Sequence, residues 1–349
     1  MRYFLNLAVV LLVSAAQAPG PKPAAPVEPV PAILSAFLRF PVVALGERAH
    51  MGEQDHALHL KLIRDPTFLL LVDDIVLERG NSRYQEMVDR YIAGEAVPID
   101  QLQRVWQDVT ATTEEFDTPL TEELYRAVRE VNASAPGRRR LRVVLGDPPI
   151  HWENVKTFED VLRFGDIRDS FAAVIVEREV LAKGRRALVI YGRLHVERRN
   201  SRANFEPDDM LAGFIDRKYP GKLFNIWTVG GDAELKALPA EIGKWPVPSL
   251  AILRGTTLGA LDAAGFSTND FRLGRVGGAM GPIPRDQWKP MRMEDQFDAL
   301  LSLGPKLTLV GLSPSLCADD AYFAMRTGRM ALAPGGQSNI DRLRKVCGR

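Results

Sequence analysis

The chain has 349 residues, 46% of them hydrophobic and 26% charged, and a formal net charge of +1. This is an ordinary globular composition, long enough for one large or two medium domains with a real core. It excludes a global basic field for nucleic acid; the one dense basic run, GRRRLR at 137–142, reads as a solvated loop leading into a strand.

The N-terminus carries one basic residue, Arg2, an apolar run from Phe4 to Val13, and then the small residues Ser14, Ala15 and Ala16. This pattern predicts a signal peptide over 1–16, cleaved after Ala16 so that the mature chain begins at Gln17. The run is too short to span a bilayer. The expected location is therefore periplasmic or secreted, with no stable membrane insertion after cleavage. Residues 17–32 read as a Pro/Ala-rich linker, extended and poorly packed. Residues 33–349 then read as one α/β domain.

Within that domain strands and helices alternate. PVVALG (41–46) predicts a buried strand, and EQDHALHLKLIRD (53–65) a helix. DDIVLERG (73–80) is a second strand, and SRYQEMVDRYIAG (82–94) a helix closed by Gly94. Further helices fall at 98–108 and 119–131. LRVVLGD (141–147) is a third strand, and IRDSFAAVIVEREVLAKG (167–184) a helix closed by Gly184. RRALVIYG (185–192) is a fourth strand, DDMLAGFIDRKYPG (208–221) a helix and LFNIWTVGG (223–231) a fifth strand. Residues 245–290 are richer in Gly and Pro and predict an irregular insertion, with a long surface loop over 274–290. FDALLSLGP (297–305) and LTLVGLSP (307–314) read as late strands. The alternation predicts an α/β fold: a mostly parallel central sheet with helices on both faces and a site at the C-terminal ends of the strands.

Cys317 and Cys347 are the only cysteines. In an exported chain such a pair predicts one disulfide, and a cysteine-rich zinc site or a thiol nucleophile is not expected.

The polar residues fall along the predicted edge. Glu47 and His50 follow the first strand; Glu78, Arg79 and Asn81 follow the second. Asp147, His151 and Trp152 follow the third, and Tyr191, Gly192 and His195 the fourth. His56 and His59, inside a helix, read as surface or half-buried residues. Of this set, His50 suits a general base, with Glu47 or Glu78 orienting its ring. His195 suits stabilisation of an oxyanion or protonation of a leaving group. The same imidazoles and carboxylates offer ligands to a divalent metal. No Gly-x-Ser-x-Gly elbow, Gly-x-Gly-x-x-Gly or phosphate-binding loop occurs, which disfavours a serine hydrolase and a nucleotide-binding protein.

LGERAH (45–50) resembles the GE-x-x-H signature of the erythromycin esterase family. Glu78 in VLERGN stands where that family has its second glutamate. IRDSFAA resembles the Arg-Asp that opens the helix before the family's later histidine, and VIYGRLH resembles the strand that delivers it. The same layout occurs in the related ChaN-like haem-binding and Tiki/TraB proteins, whose Gly-x-x-His form GRLH also fits. The resemblance spans about 41–200, with a vaguer likeness in FDALLSLG. It implies a hydrolase in which His50 activates water, Glu47 and Glu78 support it, His195 is a second catalytic histidine and Arg168 lies close by. No cofactor is required on that reading, and the partner is a small-molecule substrate. The alternative it implies is a ChaN-like haem- or cofactor-binding protein without catalysis.

Overall fold

The computed structural model describes residues 20–135, 137, 140–199, 210–263, 272–276, 279–283 and 290–349. The expected signal peptide at 1–16 lies outside them. Seven strands form one sheet: β1 (Val42–Glu47), β2 (Asp74–Asn81), β3 (Arg142–Asp147), β4 (Ala187–Gly192), β5 (Leu223–Val229), β6 (Ser249–Ile252) and β9 (Ala299–Ser302). A separate antiparallel hairpin joins β7 (Arg272–Val276) and β8 (Ala279–Ile283). The sheet order is β3-β2-β4-β1-β5-β9-β6, and every neighbouring pair is parallel except β6 with β9. The protein is thus α/β with a mostly parallel sheet, as its alternating pattern predicts.

The strands are apolar throughout because both sheet faces are covered. Successive side chains point to opposite faces. Val43 and Leu45, with Leu77, Leu188 and Ile190, pack against the helices Glu53–Arg64, Ile99–Gln107 and Pro119–Ser134. Val42 and Ala44, with Val76 and Val189, pack against Arg168–Glu179 and Leu211–Lys218. Register aligns the C-terminal ends: Glu47 is level with Gly192, and Asn81 with Asp147.

Both sheet edges are occupied. On the β3 side, the Gln85 side chain donates to the Val143 carbonyl and accepts from the Leu145 amide, each at 2.8 Å. On the β6 side, Val27 exchanges two backbone hydrogen bonds with Leu250.

Three expectations need correction. The tract expected as an unpacked linker over 17–32 is tied to the sheet through Val27, and a helix already begins at Pro29 (Pro29–Ala36). Pro at the first helical turn is well tolerated, since its missing N–H would be unpaired there anyway. The stretch 245–290 is not wholly irregular, for it supplies β6 and the β7–β8 hairpin. Residues 307–314 form no strand; Thr308 to Val310 pair with residues 51–53, in the loop after His50, and a helix begins at Pro314.

The chain ends in three helices, Pro314–Ala318, Asp320–Leu332 and Gly336–Cys347, around a small core of Met330, Ile340 and Leu343. Cys317 and Cys347 are bridged, with their Cα atoms 5.1 Å apart. Closing a loop with a sequence separation of 30 residues stabilises by about 3–4 kcal/mol in the chain-entropy model. Reduction is therefore expected to lower the unfolding midpoint in denaturant and to expose two titratable thiols. An unchanged midpoint on reduction would count against that contribution.

Candidate active site

The five residues singled out from the sequence, Glu47, His50, Glu78, Arg168 and His195, meet at the C-terminal ends of β1, β2 and β4. Glu47 closes β1, and His50 follows three residues later on the outgoing loop. The His50 Nδ1 lies 2.8 Å from Glu47 Oε2. A neutral ring that donates through Nδ1 to the carboxylate keeps its lone pair on Nε2. Gly192 sits against that face: a Cβ there would lie 3.2 Å from His50 Nε2. The Phe116 ring packs on the imidazole, centroids 4.6 Å apart. The His50 side chain keeps 19% of its surface exposed, so solvent reaches it.

Glu47 is itself held. The buried Arg79 guanidinium donates to its Oε1, and His59 Nδ1 lies 3.6 Å from the same oxygen. Burial, with His56 nearby, pushes the His59 imidazole down to about 3, so its ring is neutral. Neither histidine of the helix Glu53–Arg64 is a surface or half-buried residue as expected from the sequence: His56 is 5% exposed and bound to Glu123, and His59 is 1% exposed. The helix is amphipathic in sequence, but the sheet and the helix Pro119–Ser134 cover it on two sides. Neutral His59 therefore behaves as a core residue beside Glu47.

Glu78 is the hub. The β2–β3 register shifts between Leu77 and Asn81. Such irregularities re-aim side chains, and this one leaves Glu78 and Arg79 both buried with separate partners. Glu78 Oε1 accepts from Arg168 Nη2 and lies 3.3 Å from His195 Nε2; Oε2 accepts from the Gly192 amide and lies 3.8 Å from His50 Nε2. Burial alone would raise this carboxyl, but Arg168, His50 and His195 together hold it well below the usual range. A carboxylate so depressed and so fully engaged is not a general base at neutral pH.

Arg168 also reaches Asp147, Nε to Oδ1 at 3.5 Å. Asp147 accepts from the Thr110 amide at 2.8 Å and the Thr110 hydroxyl at 2.7 Å. Burial nonetheless pushes its carboxyl up to about 7. Arg168 opens a helix, where a cation opposes the helix dipole; its two carboxylate partners account for its place. The next residue, Asp169, accepts from His195 Nδ1 at 2.8 Å. Burial would lower the His195 imidazole, but Asp169 and Glu78 raise it to about 10. His195 is thus an imidazolium with both nitrogens turned to carboxylates, which favours a charge-stabilising role over proton transfer.

Asn81, His151 and Trp152 do not join the cluster. Asn81 donates to the Asp108 and Ile150 carbonyls, Trp152 Nε1 to Asp108 and Val109 carbonyls, and the exposed His151 pairs with Glu153. Phe116 and Thr110 were not legible in sequence, because they lie on an irregular loop with no periodic signal. A cavity of about 980 Å³ opens elsewhere, beside the N-terminal end of β5, where Arg198 pairs with Asp216 and Asp298.

Glu47, His50 and Glu78 present ligand atoms within 4.8 Å of one another. This donor set does not suit a dication, because Arg79 and Arg168 already neutralise the two carboxylates.

No family model and no curated protein matches the chain. Among solved structures, it is similar to a succinoglycan biosynthesis protein (TM-score 0.57, 10% identity, 83% of this chain and 96% of that one). It is also similar to a mutant of the erythromycin esterase EreC in its open conformation (TM-score 0.50, 12% identity, 81% and 94%). The chain has the erythromycin-esterase-like fold. The haem-bound ChaN of Campylobacter jejuni overlaps less, with a TM-score of 0.34 over 57% of this chain. Among the described residues no helix is long and apolar enough to cross a membrane.

The raised His195 group has a consequence for stability. Its charge contributes stability that is fully present below its ordinary value of 6.5 and is lost as pH rises through about 10. Thermal unfolding measured from pH 7 to 10 is expected to show a falling midpoint that flattens in His195→Gln. An identical slope in both proteins would contradict the pairing.

Proposed function

We propose that the protein is an exported hydrolase of ester-type bonds in a small-molecule substrate. The observation that carries this reading is the chain Arg79–Glu47–His50, a buried guanidinium fixing a carboxylate that fixes a partly exposed imidazole. That arrangement leaves Nε2 to take a proton from water. The water oxygen bonds to the carbonyl carbon, and the displaced electron pair moves to the carbonyl oxygen. As the tetrahedral intermediate collapses, the C–O bond breaks and the leaving alkoxide takes the proton back from His50.

Two cations flank this chemistry. Arg168 donates one of its five N–H groups to Glu78 and is ion-paired with Asp147. Its remaining donors and the His195 imidazolium supply positive potential for the developing oxyanion. Glu78 holds both cations in place rather than acting on water. No metal is needed for this sequence, and the carboxylates are committed to arginines.

A likeness in fold to an esterase supports the reading without naming a substrate. The haem-binding alternative would draw an iron ligand from His50 or Tyr191. Tyr191 is 1% exposed and lies beneath Gly146, where a Cβ would come within 1.8 Å of its hydroxyl. That placement leaves the hydroxyl little access to an iron.

Hydrolysis of a panel of esters and lactones, followed by proton release, tests the proposal. His50→Gln and Glu47→Gln are each expected to lose roughly 10²–10⁴-fold in kcat while remaining folded. Exhaustive dialysis against a chelator is expected to leave the rate unchanged. Full activity in His50→Gln, or a Soret shift at stoichiometric haemin without any hydrolysis, would overturn it.

A further inference from the structure

The C-terminal helices touch neither Glu47 nor Glu78, yet their charged residues reach the site's walls. The loop 108–118, between two helices, carries Thr110 and Phe116. Its three buried acids, Asp108, Glu114 and Asp117, are 4%, 3% and 1% exposed. Each is met by an arginine of the C-terminal unit: Asp108 by Arg329, Glu114 by Arg342 and Asp117 by Arg326. Arg326 is wholly buried; it and Arg329 also donate to the Gln107 carbonyl, at 3.1 and 2.6 Å. The Tyr322 hydroxyl adds a 2.6 Å bond to Asp117, the residue next to Phe116.

The same unit grips the other side of His50. Leading into its helices, Thr308 accepts from the Glu53 amide at 2.9 Å, and the Val310 amide donates to the Met51 carbonyl at 2.9 Å. Gln54 exchanges two further bonds with Thr308, at 3.1 and 3.0 Å. Residues 51–54 follow His50 directly.

We propose that Arg326 and Arg329 are positioning residues for His50 and Asp147, and that residues 306–347, latched by Cys317–Cys347, strap the two loops that frame the site. They act through Phe116, which packs on the imidazole, and through Thr110, which hydrogen-bonds Asp147. Ion pairing matters because none of the three acids is exposed: a buried carboxylate that loses its cation takes up a proton, takes on water or moves, and each changes its hydrogen bonds. Rearranged bonds at Asp117 or Asp108 are expected to shift the neighbouring Phe116 or Thr110. That these contacts bear on catalysis rests on the hydrolase reading; that they fix the His50 ring does not.

The test therefore reads the His50 ring directly. Its imidazole resonances and titration midpoint are measured by NMR in the full chain, assigned by their loss in His50→Gln. Arg326→Met is expected to shift both, and Arg326→Lys, which keeps the charge but not the planar fork, to shift them less. Where hydrolysis is detected, Arg326→Met is expected to lower kcat by up to about 100-fold with KM within about twofold, the signature of a misplaced group. Should Arg326→Met fail to fold, the near-isosteric Asp117→Asn and reduction of the disulfide in the native protein are expected to move the same resonances. Shifted resonances in a protein with no hydrolysis would support the strap and count against the catalytic reading. A folded Arg326→Met or Asp117→Asn with a lowered melting temperature and unmoved His50 resonances would overturn the proposal, leaving the pairs a purely structural role.

Discussion

A carboxylate buried to 1% exposure at a strand end is tolerable only if its charge is answered on every side. Glu78 is answered by a guanidinium, an imidazolium and a backbone amide drawn from the helix after β3 and from β4 and the turn beyond it. Those partners must converge for the sheet to close around it, so the requirement of one acid dictates where Arg168, His195 and Gly192 sit. The site is in this sense a consequence of neutralising Glu78. The same logic repeats one layer deeper with Glu47, which Arg79 answers. Four carboxylates, Glu47, Glu78, Asp147 and Asp169, thus face three permanent or near-permanent cations, Arg79, Arg168 and the His195 imidazolium.

Backbone space matters as much as charge. Near their C-terminal ends β1, β2, β3 and β4 carry Gly46, Gly80, Gly146 and Gly192. A Cβ at each would press on Arg193 and Val196, on Leu145, on the Tyr191 hydroxyl, and on His50 respectively. The side chains of the site are layered tightly enough that the strands beneath them have none.

The parts of this arrangement that were legible in the sequence share one property: they follow directly on apolar strand runs. Glu47 and His50 after VVALG, Glu78 after IVL, and His195 after VIYG are placed by the sheet alone, and Arg168 by the helix that precedes β4. The fold class was legible for the same reason, since period and punctuation alternate cleanly from 41 to 231. What the sequence concealed depends on long-range packing. Thr110 and Phe116 sit on a loop whose course is set by arginines more than 200 residues later. His59 reads as amphipathic until the sheet covers it. His151 and Trp152 follow a strand as the site residues do, but the chain turns away after Pro148 and their polar atoms are used by Glu153 and the Asp108 and Val109 carbonyls. The antiparallel β6 was hidden because its four residues lie in a Gly/Pro-rich stretch, where short strands carry no periodic signal.

The two sheet margins differ in how they end, and the difference bears on self-association. An open strand offers a row of unpaired amides and carbonyls on which another chain can extend the sheet. Here the β3 margin is met by a single glutamine side chain, whose amide imitates the neighbour a further strand would supply. The β6 margin is met by main chain from the opposite end of the polypeptide, through Val27. The first is local, since Gln85 lies between β2 and β3 in sequence. The second joins points more than 200 residues apart. Without it β6 would present an open strand on which another chain could pair, so the short tract around Val27 is what closes this margin.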